Sequence, residues 1–213
     1  MSEALLTKEE KVQRYKKLNE HCLKGQIVFA GSSLMEMFPI EKFAEEDHLA
    51  LTVYNRGIGG YVTQELLDNI DTCILDLQPS RLFINIGTND LSRADISIGE
   101  IMTQYEKLLD QVLDEVPDCR IYLMAYYPVN YEAAVEGMKP VLKIRSNEKI
   151  TLANQAVREL AGKKGLRFID VNDPLKDDLG RLKAEYTIEG MHITENGYRA
   201  IYPLVRNYLI NPD

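Results

Sequence analysis

The sequence predicts an α/β protein in which helices cover both faces of a five-stranded parallel sheet. After a first helix, short apolar runs alternate with stretches of helical period in the order β-α-β-α-β-α-β-α-β-α. Such alternation is typical of a parallel sheet whose strands are joined by right-handed crossovers. A length of 213 residues suits one α/β domain, so we expect a single domain over residues 1–213.

The strands and helices are predicted from hydrophobic period. Apolar runs predict strands at 26–30, 51–54, 82–86, 121–125 and 166–170. Helical spacing of apolar residues predicts helices at 8–22, 40–47, 63–77, 98–116, 146–163 and 195–210. Capping residues stand at the start of four of these helices: Thr7, Thr63, Ser146 and Thr194. The connection 126–145 is long enough to be a functional loop, and its tyrosines could line a cleft or pack against the body.

The composition argues against several classes of function. The formal net charge is −8, and no stripe of lysine and arginine suggests a nucleic-acid partner. Cys22, Cys73 and Cys119 have no C-x-x-C partner, so we expect reduced thiols and neither a metal nor a redox site. No amino-terminal apolar h-region is present, and no apolar run approaches the roughly 18 residues of a membrane span. These features predict a cytoplasmic protein.

Two serines follow the first predicted strand, in the turn Gly31-Ser32-Ser33. A serine there lies at the carboxyl edge of the sheet and at the start of a helix, where open α/β sheets bind ligands. Most serines in such a position are helix N-caps. The turn alone therefore leaves a capping role and a catalytic role open.

His192 is the histidine whose surroundings suggest chemistry, whereas His21 and His48 lie in charged helical contexts. Glu189 precedes His192 by three residues, so its carboxylate can reach the imidazole Nδ1. Acyl transfer uses a neutral imidazole to accept a serine proton and an anion to orient that imidazole. The alternative is a hydrogen-bonded loop histidine beside a solvated glutamate.

Gly60 and Asn89 follow the second and third predicted strands. The glycine-rich loop from Asn55 to Gly60 matches neither G-x-G-x-x-G nor a P-loop. An amide of this loop could donate to an oxyanion, or its glycines could form a tight turn. The Asn89 side chain could donate to the same oxyanion, or could cap its own turn. The acidic residues lack EF-hand spacing, so no metal site is predicted.

Four short blocks stand in order along the chain: Phe29 to Leu34, Asn55 to Gly60, Ile86 to Asp90, and Glu189 to His192. Together they resemble the SGNH hydrolase (GDSL esterase/lipase) family. The resemblance implies a flavodoxin-like, three-layer α/β/α sandwich. It also implies that Ser33 is the nucleophile, that His192 and Glu189 complete a triad, and that Ser33, Gly60 and Asn89 form the oxyanion hole.

Two residues depart from the family pattern. Ser32 replaces the aspartate that usually precedes the nucleophile, although the amide of Ser33 can still donate. Glu189 replaces the aspartate of D-x-x-H, and its extra methylene leaves a Ser-His dyad open. Met35 stands where an α/β-hydrolase elbow, G-x-S-x-G, has its last glycine, which argues against that family.

We therefore expect a serine esterase that acts on a small-molecule ester through an acyl-enzyme and needs no cofactor. A small acyl group, such as acetyl, is the favoured substrate, with an acyl thioesterase or a lysophospholipase as alternatives within the family. Two other classes stay open: a flavodoxin-like module that binds a nucleotide or phosphate at Gly57 to Gly60, and an interaction protein without activity. The sequence does not indicate the oligomeric state.

Overall fold

A computed structural model of the chain describes residues 6–211. Residues 1–5, 212 and 213 lie outside the described residues, and so does the start of the amino-terminal stretch for which no leader is predicted. One parallel sheet contains β1 (Ile27–Gly31), β2 (Val53–Asn55), β3 (Arg81–Asn85), β4 (Arg120–Met124) and β5 (Arg167–Ile169). The strand order is β2-β1-β3-β4-β5. This is the flavodoxin-like order, which has its topological switch point between β1 and β3. The predicted fold class is confirmed.

The α-helices of the described residues alternate with the strands as predicted. They are α1 (Lys8–Asn19), α2 (Ser33–Glu36), α3 (Ile40–Glu46), α4 (Thr63–Asp68), α5 (Ile70–Cys73), α6 (Thr88–Leu91), α7 (Ile98–Glu115), α8 (Lys139–Ile144), α9 (Asn147–Lys164) and α10 (Glu195–Ile210). Thr7, Ser146 and Thr194 cap α1, α9 and α10 through their side chains, as the sequence predicts. Short 3-10 turns lie at Leu75–Leu77, Glu136–Met138, Asp173–Leu175 and Ala184–Tyr186.

The helix predicted over 63–77 is wrong in its continuity and in its cap. The segment forms α4, α5 and a 3-10 turn, because Asn69 leaves helical geometry and its side chain donates to the Glu65 carbonyl. Thr63 is the first helical residue, and its N–H and hydroxyl both donate to Asp90. Thr63 therefore links the start of α4 to α6 instead of capping its helix.

The connection 126–145 is more ordered than a loop. It contains the 3-10 turn at Glu136–Met138 and the whole of α8. Tyr126 and Tyr127 are fully buried, and the Tyr126 hydroxyl donates to the Ile86 carbonyl at 2.7 Å. These two tyrosines therefore pack against the body of the protein.

Alternate side chains of each strand enter two separate cores, one on each face of the sheet. On β1, Val28 and Ala30 pack in the core that includes side chains of α1, α4, α5, α7 and α9. Ile27 and Phe29 pack in the other core, against side chains of α3 and α10. In that second core the rings of Phe29, Phe83 and Tyr122 stack across three strands at centroid distances of 4.6 Å. The two cores make the sheet the middle layer of the structure.

Cys22, Cys73 and Cys119 are free thiols, as the sequence predicts. Burial raises the pKa of Cys73 and of Cys119 to about 12, which keeps both thiols protonated and unreactive. Across residues 6–211, no helix has the length and apolar character needed to cross a bilayer.

Candidate active site

Ser33 is the first residue of α2 and lies directly beyond the carboxyl end of β1. Its Oγ is 2.9 Å from Nε2 of His192, although the two residues are far apart in sequence. Ser32 occupies the N-cap position, but its side chain makes no capping hydrogen bond. The Ser32 side chain is instead buried, with its Oγ 3.3 Å from the Thr88 hydroxyl. Neither serine side chain caps α2.

The turn before Ser33 requires a glycine. Gly31 has a φ of +152°, and a Cβ there would lie 2.1 Å from the carbonyl oxygen of Asn85 on β3. No other residue allows β1 and β3 to approach so closely at the switch point. The Gly31 backbone therefore fixes the point at which the chain leaves the sheet before Ser33.

The Glu189 carboxylate holds His192 at two points. Oε1 of Glu189 is 2.7 Å from the imidazole Nδ1 and also accepts the backbone N–H of His192 at 3.0 Å. A proton on Nδ1 that is donated to the carboxylate leaves Nε2 as an acceptor for the Ser33 hydroxyl. The side chains of His192 and Glu189 are 26% and 17% exposed. The alternative of a solvated glutamate is wrong. His21 and His48 are exposed.

The ordered segment 126–145 supports the turn that carries Glu189 and His192. The Asn130 N–H donates to the Gly190 carbonyl at 2.8 Å. Arg145, at the end of this segment, donates through Nη1 to the Met191 sulfur at 2.9 Å. The segment therefore contacts both residues that lie between Glu189 and His192.

Arg145 is a buried cation that the sequence did not single out. Its side chain is 1% exposed, and its Nε has no hydrogen-bond partner. Burial lowers the pKa of Arg145 to about 10, while attraction to Tyr126 and Glu189 opposes that shift. At neutral pH the guanidinium remains charged, so a fixed positive charge acts on Glu189 from the interior. An arginine beside the helix cap Ser146 gives no sequence signal of burial.

Asn89, in α6, is tied to the neighbouring loop that contains Gly60. The Asn89 side chain donates to the carbonyl oxygen of Tyr61 at 2.9 Å. An amide nitrogen carries two N–H groups, so the second can donate to a substrate oxygen. Gly60 is exposed and has a φ of +78°, a backbone conformation that favours glycine. The Asn89 amide does not cap its own turn, because it donates across to the loop of Gly60 and Tyr61.

Asp90 makes a second tie, between α6 and the segment that follows Gly60, and the sequence did not predict it. Its side chain is buried and accepts the N–H of Thr63 at 2.9 Å and the Thr63 hydroxyl at 3.1 Å. Burial raises the pKa of Asp90 above its ordinary value, although the hydrogen bonds from Thr63 act in the opposite direction. A buried carboxylate in the block from Ile86 to Asp90 is therefore part of the framework below Asn89.

Comparison with known proteins finds a family model and a solved structure that resemble this chain. Residues 41–200 match the model of the GDSL-like lipase/acylhydrolase family, a stretch that begins after Ser33 and includes the other four predicted site residues. A solved structure from Streptococcus pneumonia, described provisionally as a platelet activating factor, is 35% identical. The two structures superpose with a TM-score of 0.84, over 95% of this chain and 92% of the other.

Two curated relatives are more distant. The N-acylneuraminate cytidylyltransferase of Escherichia coli O18:K1:H7 is 26% identical over 87% of this chain. The chain spans only 40% of the length of that relative. The platelet-activating factor acetylhydrolase IB subunit alpha1 of Rattus norvegicus is 23% identical over 87% of this chain and 75% of its own length.

The raised pKa of Asp90 predicts a pH-dependent stability. When a carboxyl group binds its proton more tightly in the folded state, the folded protein loses stability as the pH rises above the unfolded pKa of that group, about 3.9. We expect the free energy of unfolding of the wild type, relative to Asp90→Asn, to fall between about pH 4 and the raised pKa of Asp90. Urea denaturation at several pH values measures this difference.

The exposed carboxylate Asp71 on α5 provides a control, because Asp71→Asn makes the same substitution at the surface of the protein. A difference between wild type and Asp90→Asn that stays flat or rises with pH would contradict the burial of an ionisable Asp90.

Proposed function

This chain belongs to the GDSL-like lipase/acylhydrolase family and is a carboxylic ester hydrolase, and we propose that Ser33, His192 and Glu189 are its catalytic triad. One observation carries the proposal: a continuous hydrogen-bonded path from Ser33 Oγ through both imidazole nitrogens to the Glu189 carboxylate, with distances of 2.9 and 2.7 Å. Such a path is what a serine hydroxyl needs to lose its proton at neutral pH.

In the proposed mechanism, Ser33 Oγ attacks the ester carbonyl while His192 Nε2 accepts the hydroxyl proton. The resulting oxyanion accepts hydrogen bonds from the amides of Ser33 and Gly60 and from the side chain of Asn89. His192 then gives the proton to the leaving alcohol, and an acyl-enzyme remains on Ser33. Water, activated by His192, attacks the acyl group and releases the acid. Every step uses groups of the chain and water alone.

Glu189 has the role that the family usually gives to an aspartate. The extra methylene is accommodated because Glu189 Oε1 also accepts the backbone N–H of His192. This second hydrogen bond closes a small ring over residues 189–192 and directs the carboxylate towards Nδ1. The geometry therefore favours a complete triad over a Ser-His dyad, and an ionised Glu189 stabilises the imidazolium that forms during attack.

We propose a small acyl group, acetyl in particular, as the part of the substrate that enters the site. The name of the rat relative describes an acetylhydrolase. The name of the Escherichia coli relative refers to an N-acylneuraminate, although this chain spans 40% of that protein's length. The alcohol is therefore tested separately from the acyl group, with platelet-activating factor and an O-acetylated neuraminate as the first two candidates.

The first prediction from this proposal concerns the oxyanion hole and the nucleophile. Loss of one oxyanion donor typically lowers kcat by about a hundredfold or more, so Asn89→Ala should lower kcat to that extent on p-nitrophenyl acetate. A fluorophosphonate probe should label the wild type at Ser33 and should not label Ser33→Ala. An unchanged kcat in Asn89→Ala, or labelling at another residue, would remove Asn89 or Ser33 from the proposed site.

The second prediction tests the triad against the dyad. Glu189→Gln keeps an acceptor near Nδ1 but removes the charge that stabilises imidazolium, and Glu189→Ala removes both. We expect kcat to fall by at least tenfold in Glu189→Gln and further in Glu189→Ala, as for other orienting acids. Steady-state kinetics on p-nitrophenyl acetate measure both variants. Near-wild-type activity in both variants would show a working dyad.

The third prediction concerns the acyl group. A series of p-nitrophenyl esters from acetate to decanoate should give its highest kcat/KM at acetate, because a site for a compact acyl group gains nothing from a longer chain. An acetyl thioester assayed beside the ester separates the esterase from a thioesterase. A maximum at long chains, or a preference for the thioester, would replace acetyl-ester hydrolysis with one of the two alternatives.

A further inference from the structure

One face of α1 contains the polar residues Lys8, Lys11, Tyr15 and Asn19. Their spacing of three, four and four residues brings all four side chains to the same side of a helix. The helix lies outside the stretch that matches the family model, which begins at residue 41. Nothing in the proposed triad or in the family match explains this polar face.

The first contact of this face reaches the glycine proposed as an oxyanion donor. Nζ of Lys8 donates to the carbonyl oxygen of Gly60 at 2.9 Å. The same ammonium group is 2.8 Å from both carboxylate oxygens of Glu65, which keeps its charge paired. The carbonyl side of Gly60 is therefore held by α1.

The second contact reaches the preceding glycine through a glutamate. Nζ of Lys11 lies 2.5 Å from Glu36 Oε1, and Glu36 Oε2 accepts the N–H of Gly59 at 2.8 Å. The Lys11 side chain is only 13% exposed, so this ion pair is better shielded than a typical surface pair. Glu36 ends α2, the short helix that begins at Ser33. The Lys11–Glu36 pair thus joins the serine helix to the glycine loop.

Two further contacts hold the start of the same loop. The Tyr15 hydroxyl donates to the Gly57 carbonyl at 2.8 Å. Oδ1 of Asn19 accepts from Nε of Arg56 at 3.0 Å. The polar face of α1 therefore contacts the loop from Arg56 to Gly60 in order, from one end of the helix to the other.

We propose that α1 is a template for this loop, and that Lys8, Lys11 and Tyr15 are positioning residues that hold the Gly60 N–H towards the oxyanion. This inference rests on the proposed esterase function. Adjacent glycines lose more conformational freedom on ordering than any other residues, so a Gly-Gly donor needs external support. Glu36 takes the N–H of Gly59 and Lys8 takes the carbonyl of Gly60, so the peptide that carries the donor is held from both sides.

The expected kinetic effect follows from when an oxyanion donor acts. The donor interacts strongly only with the charge of the transition state, so loosening it lowers kcat and leaves KM nearly unchanged. Removal of a donor costs about a hundredfold or more in kcat, and a donor that is present but poorly held should cost less, on the order of tenfold.

The test compares Lys8→Met, Lys11→Met and Tyr15→Phe with the control Lys17→Met. Lys17 is exposed and lies about 180° around α1 from Lys8, so its substitution removes the same charge from the opposite face. Each variant is assayed for kcat and KM on p-nitrophenyl acetate, for Ki of a trifluoromethyl ketone whose serine adduct carries an oxyanion, and for Tm.

We expect Lys8→Met and Lys11→Met to lower kcat about tenfold with KM within about twofold of wild type. Ki for the ketone should rise by the same factor, because the adduct uses the same donor. Tyr15→Phe should show a smaller effect in the same direction, Lys8→Arg should restore part of kcat, and Lys17→Met should behave as wild type.

Two results would overturn the inference. One is a wild-type kcat and Ki in Lys8→Met and Lys11→Met, while Ser33→Ala is inactive. The other is a loss of kcat that Lys17→Met shares or that Ki does not follow, since that pattern indicates a general loss of folded protein. Full activity in Ser33→Ala would instead refute the proposed esterase mechanism.

Discussion

The close packing of β1 against β3 at Gly31 is the constraint on which the site depends. A side chain at this position would collide with the Asn85 carbonyl, so the two strands could not pack as closely as they do. The chain leaves β1 towards Ser33 and leaves β3 towards Asn89 at this same point. Below it, the stacked rings of Phe29 and Phe83 hold the two strands in register. A rigid switch point therefore fixes the positions of both the proposed nucleophile and a proposed oxyanion donor.

The groups that surround this point are more costly to bury than an apolar core would be. Asp90 is a desolvated carboxyl group and Arg145 is a desolvated guanidinium with an unpartnered Nε. Buried ionisable groups reduce stability unless their interactions compensate for lost hydration. Asp90 ties α6, which carries Asn89, to Thr63, and Arg145 attracts Glu189, so both costs occur beside the proposed catalytic groups. The apolar side chains packed in the two cores supply stability that offsets the cost of burying Asp90 and Arg145.

The proposed catalytic groups are held by partners from outside their own blocks. Residues 126–145 hold the turn of Glu189 and His192, and α1 holds the loop that ends at Gly60. Both segments appear in sequence only as a connection and a charged helix. Preorganised donors and bases account for much of enzymatic rate enhancement, so segments without catalytic residues can still influence kcat.

The sequence by itself determined the succession of strands and helices along the chain, the helix caps at Ser146 and Thr194, and the residue types at the site. These features depend on local period, capping chemistry and short motifs. The tertiary structure decided what no local pattern contains. It showed that Asn69 divides a continuous apolar pattern into two helices, and that Glu189 Oε1 reaches Nδ1 of His192 despite the longer side chain. It also revealed the buried charge of Arg145, because burial depends on which distant segments pack together, and a one-dimensional pattern does not record those contacts.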